Sequence, residues 1–115
     1  MRFVVLMHGD EARWRDGTPD ERADVVARHT AFAEQAPGLG CVLVGGEALT
    51  DVVLATSVRR RDGRLEVTEG PYTETVEQLG GFYVVEAHDV DVVTEALRLL
   101  PEYYGFEIRP VLDLD

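Results

Sequence analysis

The distribution of apolar residues predicts an α+β domain of split βαββαβ order, with both helices on one face of a sheet. Three observations carry that prediction. Strand-like apolar runs recur at 3–7, 40–46, 80–86 and 106–112. Segments of helical period follow the first and third of these runs. An Asp62-Gly63 pair between two short β-rich runs marks a hairpin inserted between the halves. At 115 residues the chain fits one domain, and its 45% hydrophobic and 29% charged residues are a globular composition.

Phe3 to Met7 is apolar at every position, as expected of a central strand covered on both faces. His8 to Gly17 is polar and reads as a connection. Thr18-Pro19-Asp20-Glu21 announces a helix: Thr18 caps it, Pro19 suits the first turn, and Glu21 completes a capping box. Val25, Val26, His29, Phe32, Ala33 and Ala36 recur at spacings of three and four and share one face, and Pro37-Gly38 ends the helix. Gly40 to Gly46 is a second strand. Val58–Arg61 and Leu65–Val67 flank the Asp62-Gly63 turn, and Gly80 to Glu86 is the next strand. Asp89 or Asp91 caps a second helix with Val93, Ala96, Leu97 and Leu100 inward. Phe106 to Leu112 closes the sheet, with Pro110 favouring an edge position.

That order is ferredoxin-like, with a β-hairpin extension. It leaves one face of the sheet without a helix, and strands apolar on both sides suit no solvated face. A homodimer that covers the sheet is therefore expected.

The 22 acidic and 11 basic residues give a formal net charge of −11. Direct nucleic-acid binding needs clustered cations, and the single basic run, Arg59-Arg60-Arg61, abuts the hairpin turn, where solvation accounts for it. Anionic membrane surfaces are disfavoured on the same ground. Cys41 is the one cysteine, so no internal disulfide forms, and its apolar setting suits an inert thiol. The N-terminal apolar run is too short to span a membrane and lacks the cleavage site of a signal peptide, which leads to a cytoplasmic expectation. No phosphate-binding glycine loop, His-x-x-x-His or Cys-x-x-Cys spacing occurs, so neither a cofactor nor a metal site is expected.

The segment from Thr68 to Tyr83 contains Glu69-Gly70-Pro71-Tyr72, then Glu74, Glu77 and Gly80-Gly81 followed by Phe82-Tyr83. It resembles the signature of the DGPF-domain branch of the YCII-related proteins. That signature runs Asp-Gly-Pro-Phe, a Glu, a Lys-Glu pair, then Gly-Gly with aromatics. Glu69, Tyr72 and Val76 stand where it has Asp, Phe and Lys. Gly9-Asp10-Glu11 with Trp14, Val44-Gly45-Gly46-Glu47-Ala48-Leu49 and Arg109-Pro110-Val111 extend the resemblance over nearly the whole chain. The resemblance implies a ferredoxin-like domain that pairs into a dimeric α/β barrel, and it implies little chemistry.

His29 is the sharpest candidate for chemistry. The wider YCII family has a helix-borne His eleven residues before a Gly that opens the second strand, a spacing His29 and Gly40 reproduce. The resemblance pairs that His with an Asp before a Pro, but Leu100 precedes Pro101 here, so the dyad does not carry over. Asp10, Glu47 and Glu74 are candidate substitutes on loops near strand ends. Either His29 is a base in a small-molecule pocket, or it is a hydrogen-bonded core residue. Tyr83 is a pocket candidate; with Tyr72, Phe82, Tyr103 and Tyr104 it either lines an apolar cleft or fills the core. Arg109 either binds an anionic ligand or pairs with one of the many acids.

Two function classes follow. One is a pocket enzyme performing isomerase- or lyase-type proton transfer on a small carbonyl compound, an analogy from the fold. The other is a non-catalytic module that senses a ligand or docks on a protein. The resemblance links it to transcription regulation, because relatives of this branch are often encoded near alternative sigma factors.

Overall fold

A computed structural model describes residues 1–71 and 77–114. The elements run β1 (Arg2–Asp10), α1 (Glu11–Arg15), α2 (Pro19–Gln35), β2 (Val42–Ala48), β3 (Thr56–Arg61), β4 (Arg64–Glu69), β5 (Glu77–Glu86), α3 (Val90–Ala96) and β6 (Gly105–Pro110). Short 3₁₀ turns at Ala36–Leu39, Val52–Leu54 and Leu97–Leu99 join them.

Four strands form one antiparallel sheet in the order β2-β5-β1-β6, and among the described residues β3 pairs only with β4. The two βαβ halves interleave, so β1 is central and β6 lies at an edge, where Pro110 costs no ladder bond. The split βαββαβ order with a separate hairpin is thus the observed one, consistent with a ferredoxin-like fold.

Local chemistry sets the helix ends. The Thr18 side chain accepts from the Glu21 N–H while the Glu21 carboxylate accepts from the Thr18 N–H, the reciprocal box expected of that sequence. Asp89 caps α3 by accepting from the Val92 N–H. The polar segment after β1 holds a helix that the sequence reading lacks: Asp10 accepts from the Ala12 N–H and starts the five-residue α1. A stretch that short shows no periodicity. At the hairpin, Asp62 and Gly63 both take positive φ, 50° and 77°, as a type I′ turn requires.

The core lies between the sheet and the helices. Phe3, Val5 and Met7 of β1 point into it with Val85, and Phe32, Ala36, Val93, Ala96, Leu97 and Leu100 close over them. Cys41 is buried here, and burial pushes its thiol above its ordinary value. Alternate β1 residues point the other way. Val4 stands opposite Val84 and Leu6 opposite Phe82, and these four are only half-buried. The central strand is therefore covered on one face within a single chain, not on both.

Gly81 is needed where β2 meets β5. A Cβ there would lie 2.9 Å from the Glu47 carbonyl oxygen and 3.2 Å from Met7 Cε. Of the Gly80-Gly81 pair, therefore, only Gly81 is required by close approach, since nothing lies within 4 Å of a Cβ on Gly80.

Candidate functional site

The amphipathic face of α2 does not go entirely into the core. Phe32 and Ala36 do, but Val25, Val26, His29, Thr30 and Ala33 border a cleft of about 720 Å³. This explains why Val26, on the apolar face, is 55% exposed. The cleft is walled by the ends of β1, β2 and β5, by α1 and by the segment that precedes β6. Its size is that of a small-molecule site.

His29 projects from α2 between Tyr83 of β5 and Tyr104, which immediately precedes β6. Its Nδ1 is 2.6 Å from the Tyr83 hydroxyl oxygen, and its Nε2 is 2.9 Å from the Tyr104 hydroxyl oxygen. Tyr83 is fixed by stacking on Phe32, ring centroids 4.9 Å apart. Tyr104 lies edge-on to Tyr103 at 5.0 Å, and the Arg13 guanidinium covers the Tyr103 ring at 4.5 Å. Each hydroxyl is therefore held by a ring that packing has already oriented.

Burial lowers the His29 pKa below its ordinary value, so the ring is neutral at neutral pH. Burial also raises Tyr83, and it raises Tyr104 further with help from the facing Tyr103 and Tyr83 hydroxyls. All three groups thus keep their uncharged forms. A neutral imidazole has one N–H, so one tyrosine must donate to the ring and the other must accept from it.

The sign of the His29 shift fixes a pH dependence. A depressed folded pKa leaves stability whole above the unfolded value of about 6.5. Stability is then lost as pH falls from there through the folded pKa, because the unfolded chain takes up the proton first. Denaturant midpoints of wild type should drop across that interval, and His29→Gln should flatten this part of the profile. An unchanged slope in the variant would remove His29 as the cause.

At the cleft wall, Glu11 and Asp51 face each other. Both Glu11 oxygens lie near the Val52 N–H, at 3.2 and 3.3 Å, and Asp51 accepts from the Val53 N–H. Burial and the hydrogen bond shared with Asp51 raise the Glu11 carboxyl. The Val53 N–H and the same shared bond hold Asp51 low, with Arg15 3.3 Å from its carboxylate. The pair ties α1 to the turn at Val52–Leu54.

The structure brings together His29, Tyr83, Asp10 and Glu47, all of which line the cleft. Asp10 is occupied as the α1 cap. Tyrosines, not Asp10 or Glu47, contact the imidazole, so the expected orienting carboxylate is replaced by hydroxyls. Glu74 and Tyr72 lie outside the described residues. Arg109 does not line the cleft; it stands opposite Val4 on the helix-free face and pairs with Glu107 at 3.1 Å. Leu100 is buried in the core. Sequence reasoning gave Tyr104 no role toward His29 and did not single out Asp51. Seventy-five positions separate His29 and Tyr104, and no local pattern links them.

Among the described residues, no three His, Cys, Asp or Glu side chains cluster as metal ligands, and no helix is long and apolar enough to cross a membrane.

The model of the YCII-related domain matches residues 1–115. An uncharacterized protein of Rhizobium meliloti (strain 1021) is 32% identical over 120 residues, spanning 96% of this chain and 92% of its own length. On both findings, the chain belongs to the YCII-related domain family.

Proposed function

We propose that the cleft binds a small, largely apolar molecule whose polar group sits against Tyr83, His29 and Tyr104. One observation carries this reading: a neutral histidine, hydrogen-bonded at both nitrogens to tyrosine hydroxyls, lines a cavity of ligand size. Core histidines need such partners too, but a core offers no adjoining space of 720 Å³. The chemistry that fits is proton transfer of the isomerase or lyase type, with His29 as the base that accepts a proton through a tyrosine. Within the family we place the chain in the DGPF branch, on Gly70-Pro71 and Gly80-Gly81.

Thermal-shift and calorimetric titration with neutral cyclic ketones and phenols tests the reading. Wild type should be stabilised by at least one such compound, and His29→Gln should bind it at least tenfold more weakly. Failure of every compound to bind would count against the pocket and favour a docking module.

The homodimer belongs to the same proposal. Val4, Leu6, Phe82 and Val84 form an apolar band on the helix-free face, and Val42 at 48% exposure extends it. A second copy laid face to face would cover it. Sedimentation equilibrium at micromolar concentration should give twice the 12.8 kDa of one chain, and Leu6→Lys should return it to monomer. A monomer mass for wild type would refute the pairing.

A further inference from the structure

We infer that Tyr83, His29 and Tyr104 form a two-way proton relay, which makes the substrate a compound that moves a proton between two of its own atoms. The inference rests on the ligand-pocket reading above and names the substrate class: a neutral tautomerisable carbonyl compound, such as a keto–enol pair.

Both imidazole nitrogens are engaged, at 2.6 Å by Tyr83 and at 2.9 Å by Tyr104. A ligand in the cleft therefore meets the two hydroxyls before it meets the ring. When Nε2 carries the proton, it donates to the Tyr104 oxygen, and Nδ1 accepts from the Tyr83 O–H. Tyr83 then offers the cleft only lone pairs, while the Tyr104 O–H can donate to a ligand in place of the facing Tyr103 hydroxyl. The opposite tautomer exchanges the two roles. The site thus always presents one acceptor and one donor, and one proton transfer at each ring nitrogen converts each into the other.

That exchange is a balanced reaction when an enol is bound. The enol O–H gives its proton to the Tyr83 oxygen, and the Tyr83 proton passes to Nδ1. The Nε2 proton passes to the Tyr104 oxygen, and the Tyr104 proton passes to the enol carbon. The O–H bonding pair becomes the carbonyl π bond, and the C=C pair becomes the new C–H bond. No oxidant, reductant or second substrate takes part. The protein is left as the mirror tautomer, ready for the reverse reaction or for resetting by exchange with solvent, which takes one proton from the Tyr83 side and returns one at the Tyr104 side. No stage places a net charge on His29, which matters in a partly buried setting that already disfavours the imidazolium.

The walls agree with a neutral substrate. Asp10, Glu11, Glu47 and Asp51 line the cleft, and the one cationic side chain among its lining residues, Arg15, is paired with Asp51. A carboxylate-bearing enol would meet repulsion there.

The first test needs no ligand. In ¹⁵N-labelled protein held above pH 8, the two His29 nitrogens should show averaged shifts intermediate between protonated and unprotonated values, because both tautomers are populated. Tyr83→Phe and Tyr104→Phe, each still folded by circular dichroism, should displace that average in opposite directions. One locked tautomer unaffected by either variant, or a doubly protonated ring, would overturn the relay. The second test uses acetylacetone, with binding followed by line broadening and keto–enol exchange followed in the same samples. Wild type should accelerate exchange, and each single Phe variant should lose at least tenfold of the acceleration. Binding without acceleration would overturn the relay and leave the pocket standing. No binding at all would overturn both.

Discussion

Phe32→Ala should destabilise the protein by about 3–5 kcal/mol, the usual cost of emptying an aromatic site in a core. Phe32 is fully buried, and no other side chain of α2 reaches as deep. Its ring also backs Tyr83, so the cavity would open directly behind the hydroxyl that contacts Nδ1. Two readouts should therefore move together: a lower urea midpoint and weaker binding of any cleft ligand. Phe32→Leu, which restores most of the volume without the flat stacking surface, should recover much of the stability and less of the binding. A Phe32→Ala loss below about 1 kcal/mol would mean that the site collapses readily and that the core contact is looser than it looks.

Gly46→Ala should be the most damaging single methyl in the sheet. A Cβ on Gly46 would lie 2.5 Å from the Phe82 carbonyl oxygen and 2.6 Å from Tyr83 Cδ1. The first contact is with backbone, which cannot rotate aside, so β2 must move away from β5. Overpacking of this kind costs about 1–3 kcal/mol. The second contact pushes Tyr83 off its place between Phe32 and His29. We expect a lower denaturation midpoint together with an altered His29 titration, whereas Gly45→Ala should leave both unchanged, since nothing lies within 4 Å of a Cβ there. Equal behaviour of the two variants would refute the tight approach at Gly46.

The sequence showed the scaffold wherever one residue's neighbours in the chain are also its partners in space. Thr18-Pro19-Asp20-Glu21 encodes a cap within four positions, and Asp62-Gly63 encodes a turn within two, and both were legible. The inward stripe of Val93, Ala96, Leu97 and Leu100 followed from period alone, and all four are buried. The site was legible only in part. His29 stood out because a histidine on an apolar helical face is conspicuous. Tyr83 was a pocket candidate, but neither it nor Tyr104 could be joined to His29, because they reach it across 54 and 75 positions and are set by register and by ring packing. Arg109 shows the same limit from the other side. Its charge suggested a ligand, but strand alternation turns it to the face opposite the core, beside Glu107 and away from the cleft.

The hairpin of β3 and β4 has a consequence for the order in which the molecule opens. Among the described residues its strands pair only with each other, and of its side chains only Ser57 is buried. At its base, the Gly70 N–H donates to the Ala55 carbonyl and the Ser57 hydroxyl donates to the Gly70 carbonyl. An isolated two-stranded ribbon is marginal on its own. It can therefore fray and reclose while β1, flanked on both sides, stays shut, so its amide protons exchange with solvent long before those of Val5 or Val85. Hydrogen exchange should then reveal an opening of the hairpin that precedes, and is missed by, global unfolding.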